Sequence, residues 1–314
     1  MYPYNYKMGQ RIQTNANGVA VDRGFIAHIS ISAEDAVTKS DNGILSLSNL
    51  EAEAQEITEG LNNPAVPRNI RIKGNVAGIN KAVKITGLNY GGTEITEEVT
   101  AAGTTAKEGA AAFKAITKIE LPEQIHTPVA QVETATAAGK VTTAGNALVT
   151  VTSKLYAEAI AVDVPVELDD EANEIAAAIR AALEANETIT EHFDVSGENA
   201  AVVLTAKVPA ANDDTLNIAI ANGTGDGASV GVTAAAISTT TTPGVPYDQI
   251  SVGWGDMLGL PFLLAHNTVF ATYHDNKAEG TAPGVTTDAA KLEGNTVKLN
   301  TALNGKDVDI YLIV

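Results

Sequence analysis

The sequence contains no cysteine and few aromatic residues. Without thiols the chain cannot form disulfides, zinc–thiolate sites, iron–sulfur clusters or a cysteine nucleophile. Only 4% of the 314 residues are aromatic, and five are histidine. Enzymes usually gather both residue types around a cleft, and sugar-binding sites commonly use exposed rings. The composition therefore favours a protein that acts through its surface rather than through catalysis.

Positive charge is also scarce. Lysine and arginine number 20 against 38 aspartate and glutamate residues, which gives a formal net charge of −18. Nucleic-acid affinity comes largely from Lys and Arg that neutralise phosphates, so we expect no nucleic-acid partner. No apolar run approaches the roughly 18 residues of a membrane-spanning helix, and the first residues lack the apolar core of a secretory signal. We therefore expect neither a membrane partner nor export by the usual route.

Several short motifs resemble functional sequences but occur in the wrong context. GASVG at 227–231 spells a hydrolase nucleophile motif around Ser229, yet no helix is predicted directly after it. GWGDMLG at 253–259 resembles a phosphate-binding loop only in its glycines, because Pro261 follows instead of a helix, and a turn is predicted there. The histidines lie far apart without metal-ligand spacing. They are His28, His126, His192, His266 and His274. We expect no catalytic residue, no cofactor and no metal site.

Short alternating segments separated by glycine dominate both ends of the chain. Apolar and polar residues alternate at 69–74, 82–87 and 94–100. The turns predicted between the strands carry Gly78, Gly91, Gly92, Gly103 and Gly109. A period of two predicts half-buried strands, and short glycine-containing connections predict antiparallel pairing. The predicted fold class is mainly β, an antiparallel β-sandwich or barrel-like domain. The pattern at 49–60 fits either a brief helix or an irregular strand.

The middle of the chain has a different pattern. Ile175, Ile179 and Leu183 recur at helical spacing after Asp169 or Asp170, either of which can cap a helix that runs to about residue 186. Strands are predicted on both sides of this helix, so the middle is a small α+β domain. Two stretches of small residues, 133–139 and 233–243, are predicted to be the linkers that flank it.

These patterns divide the chain into an N-terminal arm at 1–25, a discontinuous β domain at 26–132 plus 244–314, and an inserted α+β domain at 140–235. The arm is rich in Tyr, Asn, Gln and Gly, and is interpreted either as an ordered interface or as a disordered tail. Trp254, the sole tryptophan, is expected to anchor the core or an interface. The candidate interface residues of the arm are Tyr2, Tyr4, Tyr6, Met8 and Arg11.

The β domain resembles virion proteins of tailed bacteriophages, of the capsid decoration or head-fibre type. The segments that carry the resemblance are NPAVPRNI at 63–70, ITGLN at 85–89, EITE at 94–97, FKAITKIELP at 113–122, VGWGDMLGLP at 252–261, LEGNTV at 292–297 and DVDIYLIV at 307–314. In shorter relatives the segment that ends at Pro122 runs almost directly into the one that begins at Val252, which supports the insertion. The middle domain is similar to another phage-associated unit, through EIAAAIRAAL at 174–183 and AVVLTAK at 201–207.

The resemblance implies a virion structural protein and carries no enzymatic residues. The first hypothesis is a protein on the outer capsid surface that reinforces the joints between copies of the major capsid protein, as a homo-oligomer, with a trimer favoured. The acidic charge suits an exterior location, because packaged DNA repels it. The alternatives are a tail tube or baseplate component, and a surface glycan-binding or adhesion module.

Overall fold

The computed structural model describes residues 12–13, 20–21, 26–223, 230–234 and 237–314. The architecture is mainly β with antiparallel sheets, which confirms the predicted fold class. The chain divides into a discontinuous unit, Met1–Ile125 with Asp248–Val314, and an inserted unit, His126–Tyr247. The inserted unit begins 14 residues before and ends 12 residues after the predicted inserted domain at 140–235.

Within the described residues, the first part of the discontinuous unit contains ten strands. They are β1 (Ile12–Gln13), β2 (Ala20–Val21), β3 (Ile26–Ile31), β4 (Ser40–Asn49), β5 (Gln55–Ile57), β6 (Arg68–Gly74), β7 (Ala82–Leu88), β8 (Glu94–Thr100), β9 (Lys107–Phe113) and β10 (Ala115–Leu121). The inserted unit follows with β11 (Val132–Gly139), β12 (Gly145–Thr152), β13 (Ile160–Val166), α1 (Ala172–Glu184), α2 (Glu187–Thr190), β14 (Phe193–Ser196), β15 (Ala201–Ala206), β16 (Asn217–Asn222), β17 (Val232–Ala234) and β18 (Thr239–Thr242). The chain ends with β19 (Gln249–Gly259), β20 (Val269–His274), β21 (Lys277–Ala278), β22 (Gly284–Thr286), a 3₁₀ turn (Leu292–Gly294), β23 (Thr296–Lys298) and β24 (Val308–Ile313).

The discontinuous unit packs its sheets around two hydrophobic cores. One sheet has the order β5-β10-β7-β8, and the larger one has the order β22-β23-β19-β6-β9 with β4 also paired to β19. Alternation along β6 and β7 buries Ile70, Ile72 and Ile85 in the first core, which both sheets share. The long strand β19 serves both cores, because Val252 lies in the first and Leu258 in the second.

The inserted unit combines two antiparallel sheets with two helices. One sheet has the order β14-β15-β11-β17 with β18 also paired to β11, and a second has the order β13-β12-β16. Helix α1 buries Ile175, Ile179 and Leu183 in a core that includes Val149 of β12 and Leu204 of β15. The helical spacing of these apolar residues therefore places one face of α1 on the sheets, as the sequence predicts.

The two predicted linkers are instead strands of the inserted unit. β11 pairs with β15, β17 and β18, and it buries Ala135 and Ala137 at 2% exposure. Helix α1 packs on β11, and the space between them has room only for small side chains such as those of the two alanines. The prediction was wrong because a low-volume segment was interpreted as lacking a role in the core.

The helix also begins differently from its prediction. The N-cap is Glu171, whose backbone N–H donates to the Glu174 carboxylate over 3.2 Å. Asp169 instead adopts a φ of 72°, and the Asp170 carboxylate accepts a bond from the Glu167 amide within the preceding turn. The helix ends at Glu184, and the separate short helix α2 follows after Asn186, whose side chain accepts the Ile189 amide.

Two strands of the discontinuous unit lie where turns were predicted. Residues 253–259 continue β19, because Gly253 and Gly255 let neighbouring chain approach closely: a Cβ at either position would collide with Ser40 or Asn69. Strand β9 contains Gly109, over which the Glu97 carboxylate lies and accepts the amides of Ala110 and Ala111. Burial raises the pKa of Glu97, while those two amides oppose the shift.

Candidate interaction surface

Strand β3 and the last strand, β24, pair in one sheet of the discontinuous unit. Its order is β21-β20-β24-β3, so β3 is an edge strand among the described strands. Along β24 the residues Val308, Ile310 and Leu312 point into the second core, and the intervening residues face away from it. We call this four-stranded sheet the terminal sheet.

The face of the terminal sheet that lies away from the core carries aromatic and aliphatic side chains. Register pairs Tyr311 with His28 and pairs Ile313 with Ile26. The His28 and Tyr311 rings are parallel, with centroids 4.4 Å apart. Phe270 and Tyr273 of β20 flank Tyr311 at centroid distances of 6.4 and 5.8 Å. These side chains define the terminal-sheet patch: Ile26, His28, Phe270, Tyr273, Tyr311 and Ile313.

Three apolar side chains of the terminal-sheet patch are about half exposed or more. Ile26 is 65% exposed, Phe270 55% and Ile313 48%. Single exposed apolar residues are ordinary, but a contiguous group is typical of an interaction surface. The whole chain has only five Phe, eight Tyr and one Trp, and one Phe and two Tyr lie on this patch. Aromatic residues with an apolar body and a polar tip contribute strongly to interfaces.

Polar groups border the patch and give it directional contacts. His28 Nε2 lies 2.7 Å from Asp309 Oδ1, and the side chain of His28 is 46% exposed. The Asp309 carboxylate therefore orients the imidazole ring that stacks on Tyr311. Among the described strands β3 pairs on one side only, so its other side offers backbone N–H and C=O groups to which another extended segment can pair.

Sequence reasoning did not single out this patch, although one signal for it exists. Both 26–31 and 308–313 carry large apolar or aromatic residues at positions of each parity. A strand that is apolar on both faces is either buried on both sides or binds something with its second face. Each of these two segments is only six residues long. The pattern identifies a surface only when the strand register places the two segments side by side.

The candidate interface residues of the arm lie outside the described residues, as does Ser229. These arm residues are Tyr2, Tyr4, Tyr6, Met8 and Arg11. In the sequence the arm directly precedes β3, which carries Ile26 and His28. Their role in an interface stays a prediction.

Trp254 is half-buried and makes contacts within the discontinuous unit. Its Nε1 donates to the Thr38 carbonyl oxygen over 3.0 Å, and its ring packs against the first core. The six-membered ring lies directly over Gly43 of β4, where a Cβ would come within 2.5 Å of it. These contacts use much of the indole, and an interface role for the remainder also stays a prediction.

A buried ion pair lies where β6 meets β19. Arg68 is fully buried, its Nη1 donates to the Val37 carbonyl oxygen over 2.7 Å, and its Nη2 lies 3.6 Å from Asp256 Oδ1. Lys39 Nζ lies 3.4 Å from the other oxygen of Asp256. Burial lowers the pKa of Arg68 to about 10, against the opposing charge of Asp256. The pair is inaccessible from outside and therefore organises the strands rather than a binding surface. No sequence signal links the two residues.

The described residues contain no group of three or more His, Asp or Glu side chains that could hold a metal ion. His266 is exposed and His274 is buried, so these two histidines do not share an environment. No helix in the described part of the chain is long and apolar enough to cross a membrane.

No protein-family profile matches the sequence, and no curated protein is significantly similar to it. A structure of two domains of the flagellar cap protein FliD from Escherichia coli is similar at 13% identity and a TM-score of 0.25, over 84% of this chain and 98% of that one. A three-domain structure of the same protein gives 14% identity and 0.27, over 90% and 56%. FliD from Helicobacter pylori gives 9% identity and 0.24, over 88% and 80%. TM-scores this low do not establish a common fold.

Proposed function

We propose that the protein is a non-enzymatic virion structural protein that decorates and reinforces the outer capsid surface. Its partner is the major capsid protein, and it acts as a homo-oligomer, with a trimer favoured. The observation that carries the proposal is the terminal-sheet patch, an exposed aromatic surface in a chain that is otherwise poor in aromatics. The resemblance of the β domain to capsid decoration and head-fibre proteins supports the same role.

Burial of apolar surface supplies the binding free energy in this proposal. Each Å² of apolar surface removed from water contributes about 25 cal/mol, so a patch with three aromatic rings can anchor an interface. Part of that energy is offset by lost rotational and translational freedom. A symmetric oligomer that presents several copies of the patch to a symmetric shell reduces this cost, because the later contacts form within one assembly.

Copy counting by mass spectrometry on purified virions, separated into heads and tails, tests the location. We expect an abundant chain that fractionates with heads. A chain that is abundant in tails would support a tube or baseplate component instead. Absence from both fractions would contradict a virion role and favour an adhesion module.

A matched pair of variants tests the patch itself. Ile313→Ser changes the patch, and Leu47→Ser changes an isoleucine-sized side chain on β4 with the same 48% exposure. In binding to capsids that lack the protein, we expect Ile313→Ser together with Phe270→Ser to reduce occupancy about tenfold or more, since two exposed apolar anchors are lost. Leu47→Ser should leave occupancy unchanged. Equal capsid occupancy of the double variant Ile313→Ser/Phe270→Ser and of Leu47→Ser, with circular dichroism showing both folded, would exclude the patch as the capsid contact.

A further inference from the structure

The inserted unit contains a cavity of about 360 Å³ that the proposed function does not use. It lies among the end of β12, the junction of α2 with β14, the end of β15 and the loop that leads to β16. This volume falls at the lower end of the range for small-molecule sites, roughly 300 to 1,000 Å³. The apolar residues that line it are Leu155, Phe193, Ala206, Val208, Ala210, Ala211 and Leu216.

The buried polar side chains in the cavity wall are occupied by contacts with one another. The Asp213 carboxylate accepts bonds from Ser153 Oγ at 2.9 Å, from the Lys154 amide at 2.7 Å, and from both the amide and hydroxyl of Thr215. The Gln131 side chain accepts the Asp213 amide and donates to its carbonyl oxygen. These groups already have partners, so the inner surface of the cavity favours an apolar guest.

The rim of the cavity combines exposed apolar side chains with lysines. Leu155 is 56% exposed and Val208 is 66% exposed, although both line the cavity. Covering them with a ligand would remove further apolar surface from water. A bound molecule would therefore extend from the interior of the cavity across this rim.

The two rim lysines have loose ion pairs within the described residues. Lys154 Nζ lies 3.6 Å from Asp213 Oδ1, and Lys207 Nζ lies 3.7 Å from Asp194 Oδ1. Lys207 also donates to the Thr190 carbonyl oxygen. Asp213 is already saturated by four shorter hydrogen bonds, so Lys154 retains much of its capacity to bind an anion. His192 and Glu191 complete the polar part of the rim.

We propose that this cavity binds a small amphipathic acid, with its hydrocarbon part among Phe193, Leu216 and Leu155 and its carboxylate at Lys154 and Lys207. The apolar interior matches an alkyl chain or a single ring. The lysines favour an acid over an alcohol or an amine of the same length. The site belongs to the inserted unit and is independent of the terminal-sheet patch.

Titration calorimetry of the intact protein with decanoate tests the site. Leu155→Ser should weaken decanoate binding about tenfold, because the exposed rim loses its apolar contact. The matched control is Leu168→Ser, a leucine of the same unit that is 59% exposed and does not line the cavity. It should bind decanoate as the unmodified protein does.

A second comparison tests the role of charge. Lys154→Gln and Lys207→Gln should each weaken decanoate binding about three- to tenfold, whereas Lys140→Gln, elsewhere in the same unit, should not. Decanol should bind at least about fivefold more weakly than decanoate. The proposal is overturned if decanoate shows no saturable binding up to about 1 mM. It is also overturned if Leu155→Ser matches Leu168→Ser, or if decanol binds as well as decanoate.

Discussion

At the scale of single residues, Asp213 shows how a partly buried carboxylate is kept ionised. Burial by itself raises the pKa of a carboxyl group, yet the bonds from Thr215, Lys154 and Ser153 outweigh burial and hold the pKa of Asp213 at about 2. Its neighbour Asp214 is exposed and accepts one bond from Asn212. Adjacent aspartates therefore differ in role. Asp213 links the loop between β15 and β16 to the end of β12, whereas Asp214 bonds only to Asn212 among the described residues.

We predict that Asp213→Asn destabilises the inserted unit at pH 7 by about 2 kcal/mol, because an amide cannot accept all of these bonds. The folded pKa lies below the ordinary value of 3.8, so the ionised carboxylate contributes stability above about pH 4. That contribution is lost as the pH falls from about 4 to 2. Hydrogen exchange at β12 and β16 in the intact chain measures the effect.

The control for this prediction is Asp214→Asn, which should leave exchange rates nearly unchanged. The difference between unmodified protein and Asp213→Asn should shrink as the pH is lowered towards 2. A difference that stays constant across this range would show that the ionised carboxylate is not the stabilising species.

At the scale of elements, β19 depends on glycines where other strands cross it. Gly43 of β4 lies beneath the ring of Trp254, and Gly253 of β19 itself lies against the Ser40 carbonyl oxygen. Glycine is the residue that permits this approach, since any side chain would occupy the same space. The register of β19 shifts with respect to both β4 and β6, so the strand bends between the two cores that it serves.

We predict that Gly43→Ala destabilises the discontinuous unit by about 1 to 3 kcal/mol, because the new methyl group displaces the indole of Trp254. Trp254 is the sole tryptophan, so its fluorescence should shift to the red as the ring becomes more exposed. Gly280→Ala is the control, because a Cβ there meets no atom within 4 Å.

A second variant identifies the cause of this destabilisation. Combining Gly43→Ala with Trp254→Phe should cost less than the sum of the two single changes, since the smaller ring leaves room for the methyl group. Strictly additive melting temperatures would contradict the predicted collision.

At the scale of the whole molecule, hydrogen bonds within each unit join the two chain segments at its boundary. In the discontinuous unit the Ile125 amide donates to Asp248 Oδ2 over 2.7 Å, so its two chain ends lie side by side. In the inserted unit Val129 and Val245 exchange backbone bonds of 2.9 Å. Each unit has its own hydrophobic core, which is what independent folding requires.

We predict that deletion of 126–247, with a short glycine linker joining Ile125 to Asp248, leaves a folded discontinuous unit. Its thermal transition should lie within about 5 °C of the corresponding one in the full chain, because loop closure changes little in free energy. Circular dichroism and Trp254 fluorescence measure this. Deletion of 140–235 alone is the contrasting variant, since it leaves β11 without β15 and β17.

The contrasting variant should aggregate or melt earlier, because Ala135 and Ala137 lose their cover. If both deletions behave alike, the boundaries at 125 and 248 have no special role in folding.

The sequence predicts helices and strands well where the alternation of apolar and polar residues is carried by bulky side chains. β8 begins and ends at the predicted residues, and the apolar face of α1 is the predicted one. β9 and β11 were missed, because Gly109 and the alanines of β11 have none of the bulk by which strands are recognised. Their strand character comes from pairing with strands distant in sequence: β9 pairs with β6, and β11 pairs with β15, β17 and β18.

The amino-acid sequence by itself determined the mainly β class and the position of helix α1 in the middle of the chain, because periodicities of 2.0 and 3.6 are local properties. It also determined the absence of thiol chemistry. Only the tertiary structure decided that Ile26, Phe270, Tyr311 and Ile313 form one surface, and that a cavity lies between α2 and the loop before β16. Both features join residues that are distant in sequence, and strand register, a property of the folded chain, brings them together.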